Sequence, residues 1–161
     1  MSRAFTRDGQ EGEGLGVLPD RPVSRERNLV TRRGLRLIEQ AIATARSELA
    51  AADAQGDRLA AGNASRDIRY WLARRATAEL IDAAHEADGV RFGMAATLRY
   101  ANGRQVTWRI VGEDEADATA GRISHVSALA RALFGKDVGD TVNLGSAEAE
   151  IVAVDHTHEP A

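Results

Sequence analysis

The sequence predicts an α+β protein in two parts, an antiparallel helical hairpin of the coiled-coil kind followed by a small antiparallel β domain with one short helix. Three observations carry this. Leu35, Ile38, Ile42, Ala45, Leu49 and Ala52 follow one another at alternating spacings of three and four, the seam of a heptad helix. A second apolar stripe, Ile68, Leu72, Ala76 and Leu80, comes after a glycine-containing break. Beyond residue 90 the period changes to two, with Ala96, Leu98 and Tyr100 before Asn102-Gly103 and Val106, Trp108 and Ile110 after it.

Residues 1–28 hold four glycines and two of the three prolines, mix both charge signs and show no period. Ordering them would cost backbone entropy for little apolar burial, so a flexible arm is expected. Gly12, Gly14 and Gly16 do not make a phosphate loop, since no strand precedes them and no helix opens there. Residues 29–82 are the hairpin. Thr31 is the N-cap of its first helix, whose seam runs out at Gly56. Gly62 and Asn63 then place the reversal near residue 60, with a second helix over 64–80 and Trp71 beside its stripe. That register sets Leu49 against Trp71, Ala52 against Ile68 and Ile42 against Ala78. At 1.5 Å per residue such a finger is about 39 Å long.

Residues 83–89 read as a linker and 90–157 as the β domain. Asn102-Gly103 suits a type I′ turn. Ser127 can cap a short helix that runs to Phe134 and ends at Gly135, and strands are expected over 141–144 and 148–154.

Composition narrows the function classes. The absence of cysteine excludes a disulfide framework, Cys-ligated zinc or iron-sulfur sites and a thiol nucleophile. Seven aromatic residues in 161 argue against a large aromatic-lined pocket. No apolar run approaches the roughly 18 residues of a membrane span, and residues 1–28 lack the apolar centre of a signal peptide, so a cytoplasmic protein with no membrane contact is expected. The net charge of −3 divides into 0 for residues 1–28, +2 for 29–82 and −5 for 83–161, too mild for a protein that grips duplex DNA through many phosphates. Catalytic dyads, nucleophile elbows and nucleotide loops are not found.

Five segments make a specific resemblance: Val90-Arg-Phe-Gly93, Thr107-Trp-Arg-Ile-Val-Gly-Glu-Asp-Glu-Ala-Asp117, Ile123-Ser124, Leu129-Ala-Arg-Ala-Leu-Phe-Gly-Lys136 and Val138-Gly-Asp140. In order and spacing they resemble the C-terminal domain of the bacterial Gre transcription elongation factors over residues 90–155. Thr31-Arg-Arg-Gly34 and Gly56-Asp57 extend the likeness loosely into the hairpin, and Leu18-Pro-Asp-Arg-Pro-Val-Ser24 looks like the arm of a shorter Gre-like subgroup. The resemblance implies an FKBP-like β domain that docks on RNA polymerase at the mouth of its secondary channel, which the hairpin enters. It implies a monomeric accessory factor, not an enzyme, with no cofactor of its own, that meets nascent RNA only indirectly. In the standard factors two tip acids three residues apart help hold a Mg²⁺ shared with RNA polymerase, which itself hydrolyses the backtracked transcript. Asp57 takes the first of those places, but Ala60 stands in the second. Asp53 and Asp67 are the nearest other acids, and the finger is shorter than the standard one by about 10–15 Å. The expected protein is therefore an elongation regulator acting through the secondary channel without stimulating transcript cleavage. Two alternatives stand beside it: a Gre factor that does stimulate 3′ cleavage through Asp57, and a coiled-coil adaptor that never meets polymerase. Prolyl isomerase activity, which FKBP-like folds can host, is disfavoured because Phe92, Tyr100, Trp108 and Phe134 are the domain's whole aromatic supply.

Each candidate residue has a plainer use. Asp57 is either a Mg²⁺ ligand donated at the tip or a helix-end residue that accepts backbone N–H groups. Arg58 and Arg66, nearest the tip, and behind them Arg69, Arg74 and Arg75, are either nucleic-acid or channel contacts or a solvated face. The resemblance makes Asp114 and Glu115 polymerase-facing or loop-shaping; their acidic run lacks the spacing of an EF-hand. Ser127, Ala128, Leu129 and Arg131 sit where Gre factors carry a polymerase-contacting Ser-Pro-Leu-Ala-Arg, with Ala128 replacing the proline and loosening its fixed φ. His156 and His158 have no third metal ligand nearby, and His85 and His125 stand alone.

Overall fold

The computed structural model describes residues 19–82, 88–145 and 147–157. The hairpin is made by its caps. Thr31 accepts the Gly34 N–H at 2.9 Å and opens α1 (Arg32–Gln55), which ends at Gly56 in the left-handed conformation with φ 69°. Asp57 immediately opens α2 (Arg58–Ala76), its carboxylate accepting the Ala60 N–H at 3.0 Å. The reversal therefore takes two residues at 56–57, not a turn near residue 60, and Gly62 and Asn63 lie inside α2. A left-handed glycine followed at once by an aspartate N-cap satisfies both helix ends, and the roughly 1 kcal/mol helix penalty of Gly62 does not outweigh that.

Moving the reversal changes the partners. Ile38, Ile42, Ala45 and Ala52 are buried along α1, as the seam requires. On α2 the buried positions are Ala64 and Arg74, whereas Leu72 and Leu80 of the expected stripe are exposed. Trp71 packs with Leu35 and Ala78 against the cluster of Val30, Ile38 and Ile42, not against Leu49.

The base of the finger holds a feature that periodicity did not indicate. β1 (Leu29–Val30) pairs in parallel with β2 (Glu79–Leu80), tying the two ends of the hairpin together. Successive side chains of a strand point to opposite faces. Accordingly Leu29 packs against the core of the β domain while Val30 is buried in that of the hairpin, and Ile81 follows Leu29. Two residues thus join two cores.

The β domain contains β3 (Ala95–Tyr100), β4 (Gln105–Val111), β5 (Arg122–Ser124), α3 (Ala128–Leu133), β6 (Thr141–Leu144) and β7 (Ala147–Asp155). The sheet order is β5-β4-β3-β7-β6; three of its pairings are antiparallel, as expected of a mainly antiparallel sheet, and β5 runs parallel to β4. The β3–β4 turn closes through Gly103 N–H to the Tyr100 carbonyl, and only Gly103 has positive φ. A type I′ turn needs positive φ at Asn102 as well, so this is the longer form with a left-handed glycine at its end. Phe92, Leu98, Ile110, Leu133, Val142 and Ile151 form the centre of the core, between the sheet and α3.

Of the predicted arm, residues 1–18 lie outside the described residues, but 19–28 are tied to the hairpin, to α2 by Asp20–Arg69 and Arg21–Asp67 ion pairs and to β2 by Arg27–Glu79. Of the predicted linker, residues 83–87 lie outside the described residues.

Candidate functional site: a projecting finger and its joint

The tip of the finger is Gly56, Asp57, Arg58 and Leu59. Asp57 and Arg58 are exposed, and Leu59 is 61% exposed. One Asp57 oxygen takes the Ala60 N–H, so the residue standing in the second acidic place supplies the group that Asp57 caps. Arg66 lies about 12 Å further down α2 and is half-buried, away from the tip surface. Asp67 is engaged by Arg21 at 3.0 Å, and Asp53 is exposed near the end of α1. Among the described residues no three acidic or histidine side chains are gathered as a metal would require. The tip residues do not fit a resident Mg²⁺, which favours six oxygen ligands in an octahedron.

The hydrogen bonds described between hairpin helices and β domain fall at the opposite end. Glu115, its side chain 2% exposed, accepts from the Thr31 hydroxyl and pairs with Arg33 at 3.1 Å. Thr31 in turn accepts the Gly34 N–H, so the carboxylate is relayed to the N-terminus of α1. The first turn of α1 has no acid of its own, and Glu115 supplies the negative charge that the helix dipole favours there. Gly34 is needed for this approach: a Cβ at that position would stand 2.7 Å from Glu115 Oε2. Gly112 serves likewise, since a Cβ there would meet the Leu29 carbonyl at 2.6 Å.

Asp114, in the turn Glu113–Glu115, completes the joint by engaging α2. It accepts from the Tyr70 hydroxyl at 2.7 Å and from Arg74 Nε, while Glu113 lies 3.6 Å from Arg74 Nη2. Arg74 is 1% exposed. Burial, and then the bond to Asp114, push the Tyr70 hydroxyl up to about 12, so it remains a donor across the working range. Two residues singled out in the sequence, Asp114 and Glu115, are thus brought together, but with their carboxylates turned toward the base of the finger. Of their partners, Tyr70 escaped the sequence reading, Gly34 entered it only as the end of Thr31-Arg-Arg-Gly34, and Arg74 was grouped with the other α2 arginines, because a buried arginine looks like any exposed one until its partner is known. The signal that pointed toward them was the pair of short motifs Thr31-Arg-Arg-Gly34 and Gly112-Glu-Asp-Glu115, each with a glycine at the contact.

Beyond the joint, α1 runs from Gly34 to Gln55, about 32 Å at 1.5 Å per residue. The remaining candidates lie beside the joint on the β domain. Ser127 caps α3 by accepting the Ala130 N–H at 3.1 Å, and this cap survives with alanine at position 128. Ala128 and Arg131 are exposed, and Leu129 is half-buried against the core. His125 is buried under the arm, its Nε2 3.1 Å from the Arg27 carbonyl and its ring edge-on to Phe92. His158 lies outside the described residues.

Residues 85–156 match the family described as "Transcription elongation factor, GreA/GreB, C-term". The chain is 45% identical over 98 residues to transcription elongation factor GreA of Anaeromyxobacter sp. (strain K), the match covering 57% of each chain. It is 44% identical over 94 residues to GreA of Methylococcus capsulatus, covering 54% of this chain and 60% of that one. The chain thus spans less than two thirds of the length of these relatives. The crystal structure of GreA factor homolog 1 (Gfh1) of Thermus thermophilus aligns over 80% of this chain and 99% of that one, at 20% identity and a TM-score of 0.39. Over residues 85–156 the chain is thus similar to the C-terminal part of the GreA/GreB transcription elongation factors.

Proposed function

We propose that this protein is an RNA polymerase-binding elongation regulator, an accessory factor and not an enzyme, that places its finger in the secondary channel without donating a cleavage-supporting pair of acids. The likeness of residues 85–156 to the GreA/GreB elongation factors supports polymerase as the partner. The observation that carries the rest is the tip itself. It presents one carboxylate, Asp57, half-engaged as a helix cap, with Ala60 where a second would stand. The β domain is the docking part through α3, where Ser127, Ala128, Leu129 and Arg131 face or flank the surface. Asp114 and Glu115 act through the joint by fixing where the finger points. Arg58 is the tip cation available to the channel wall or to RNA.

Two measurements test this. Purified protein should bind core RNA polymerase at low salt, and Arg131→Glu should weaken that binding. In stalled, backtracked elongation complexes the protein should change pausing or nucleotide entry while 3′ fragments are released no faster than by polymerase alone. Asp57-dependent release of 3′ fragments would replace this reading by the cleavage-stimulating one, and an absence of polymerase binding would replace it by the adaptor.

A further inference from the structure

Residues 19–28 touch both parts of the molecule. Toward the finger, Asp20 pairs with Arg69 at 2.6 Å, and Arg21 pairs with Asp67 while its guanidinium lies 3.9 Å from the centre of the Tyr70 ring and 5.4 Å from that of Trp71. Asn28 Nδ2 donates to the Arg74 carbonyl at 2.7 Å. Toward the β domain, the Arg27 carbonyl meets His125 and Glu26 lies 3.7 Å from Arg131 on α3. The segment crosses from one part to the other outside the joint.

We infer that residues 19–28 are a strap that locks the direction of the finger, with Arg21 the positioning residue that holds Tyr70 onto Asp114. Tyr70 is clamped from two sides: Asp114 takes its hydroxyl, and Arg21 covers a face of its ring. A cation over an aromatic face, itself paired with Asp67, leaves the ring less room to leave the acid. The other ion pairs of the strap are exposed, whereas Asn28, itself buried, fastens the end of the segment to the Arg74 carbonyl. The Arg27–Glu79 side chains are 73% and 43% exposed and those of Arg131–Glu26 62% and 57%, and such pairs contribute little singly. Ahead of its buried anchor at Asn28 the strap therefore holds chiefly by Arg21. Its leverage is large: α1 is about 36 Å long, so a swing of about 10° at the base carries the tip about 6 Å. The bearing on polymerase, through the Glu26–Arg131 contact on the docking helix, rests on the function proposed above; the locking does not.

The chain contains no cysteine, so Leu59→Cys at the tip and Val138→Cys on the β domain, both exposed, accept a single pair of spin labels. Their distance distribution is measured in the free, full chain for the parent, Arg21→Ala, Arg21→Lys and Asp114→Asn. Loss of the strap should widen the distribution about twofold in Arg21→Ala and less in Arg21→Lys, which keeps the charge for Asp67 but not the flat stacking. Asp114→Asn should widen it by weakening the joint directly. Far-UV circular dichroism verifies folding, and Arg21→Lys decides the matter if Arg21→Ala does not fold. Distributions unchanged in the Arg21 variants overturn the strap, whatever Asp114→Asn does. Polymerase binding of the parent is measured separately: its failure removes the docking reading and leaves a widened distribution as support for the strap.

Discussion

Arg74→Ala removes the arginine that, among the described residues, is buried between the finger and the acidic loop. Taking away one partner of a buried pair costs about 3–5 kcal/mol, because the other charge is left unpaired out of water. Here the loss is smaller. The Asp114 and Glu113 side chains retain 13% and 24% exposure, and Asp114 keeps the Tyr70 hydroxyl. The net is about 2–3 kcal/mol, which at about 2–4 °C per kcal/mol for a chain of this size lowers Tm by about 4–12 °C. Urea unfolding followed by circular dichroism measures it. Arg74→Ala/Asp114→Ala should cost less than the two single changes together by more than about 1 kcal/mol, since in the double variant only the partly exposed Glu113 carboxylate loses its partner. A cost of Arg74→Ala below about 1 kcal/mol, or strict additivity in the cycle, refutes the assignment of Arg74 and Asp114 as the pair that holds the joint.

Three further outcomes follow from the same geometry. Gly34→Ala drives a Cβ to 2.7 Å from Glu115 Oε2 and should cost about 1–3 kcal/mol by overpacking, read as a lowered urea midpoint; an unchanged midpoint removes the close approach from the account. Asp57→Ala deletes the cap of α2 and should cost about 1 kcal/mol in the same assay, whereas Asp57→Asn, which still accepts the Ala60 N–H, should cost little. The chain has two tyrosines, Tyr70 and Tyr100, and in ultraviolet titration Tyr70 should ionise late, at about 12. Its raised value means that the folded chain keeps a proton which the unfolded chain gives up from about 10, so this contribution is complete below 10 and is lost as pH rises toward 12. Tyr70→Phe should abolish both the late step and that part of the alkaline destabilisation; a late step that persists belongs to Tyr100 and contradicts the buried bond to Asp114.

The helices and strands were legible because each announces itself locally. Thr31, Ser127 and Gly56 cap the ends that their side chains or lack of one suit, and the α1 seam buries Ile38, Ile42, Ala45 and Ala52. The reversal was misplaced by a few residues because Gly62-Asn63 and Gly56-Asp57 are both turn signals. A two-residue turn wins only through the paired caps, and a shift of that size moves Leu72 from the interface to solvent and brings Trp71 onto the α1 cluster. The parallel partner of β4 was likewise hidden, because three residues, Arg122–Ser124, are too few to show a period.

The candidate site divides in the same way. Asp57 with Ala60, the exposed end of α3 and the hairpin that carries the tip follow from residues a few places apart, and the sequence alone determined them. The tertiary structure decided what Asp114, Glu115, Arg74, Tyr70 and Arg21 do. They lie about 40 to 84 residues from their partners along the chain, as in Arg74–Asp114 and Thr31–Glu115. Capping and periodicity are short-range consequences of backbone geometry, whereas a buried charge acquires its meaning only when folding brings a partner to it and removes the water that would otherwise have served either one.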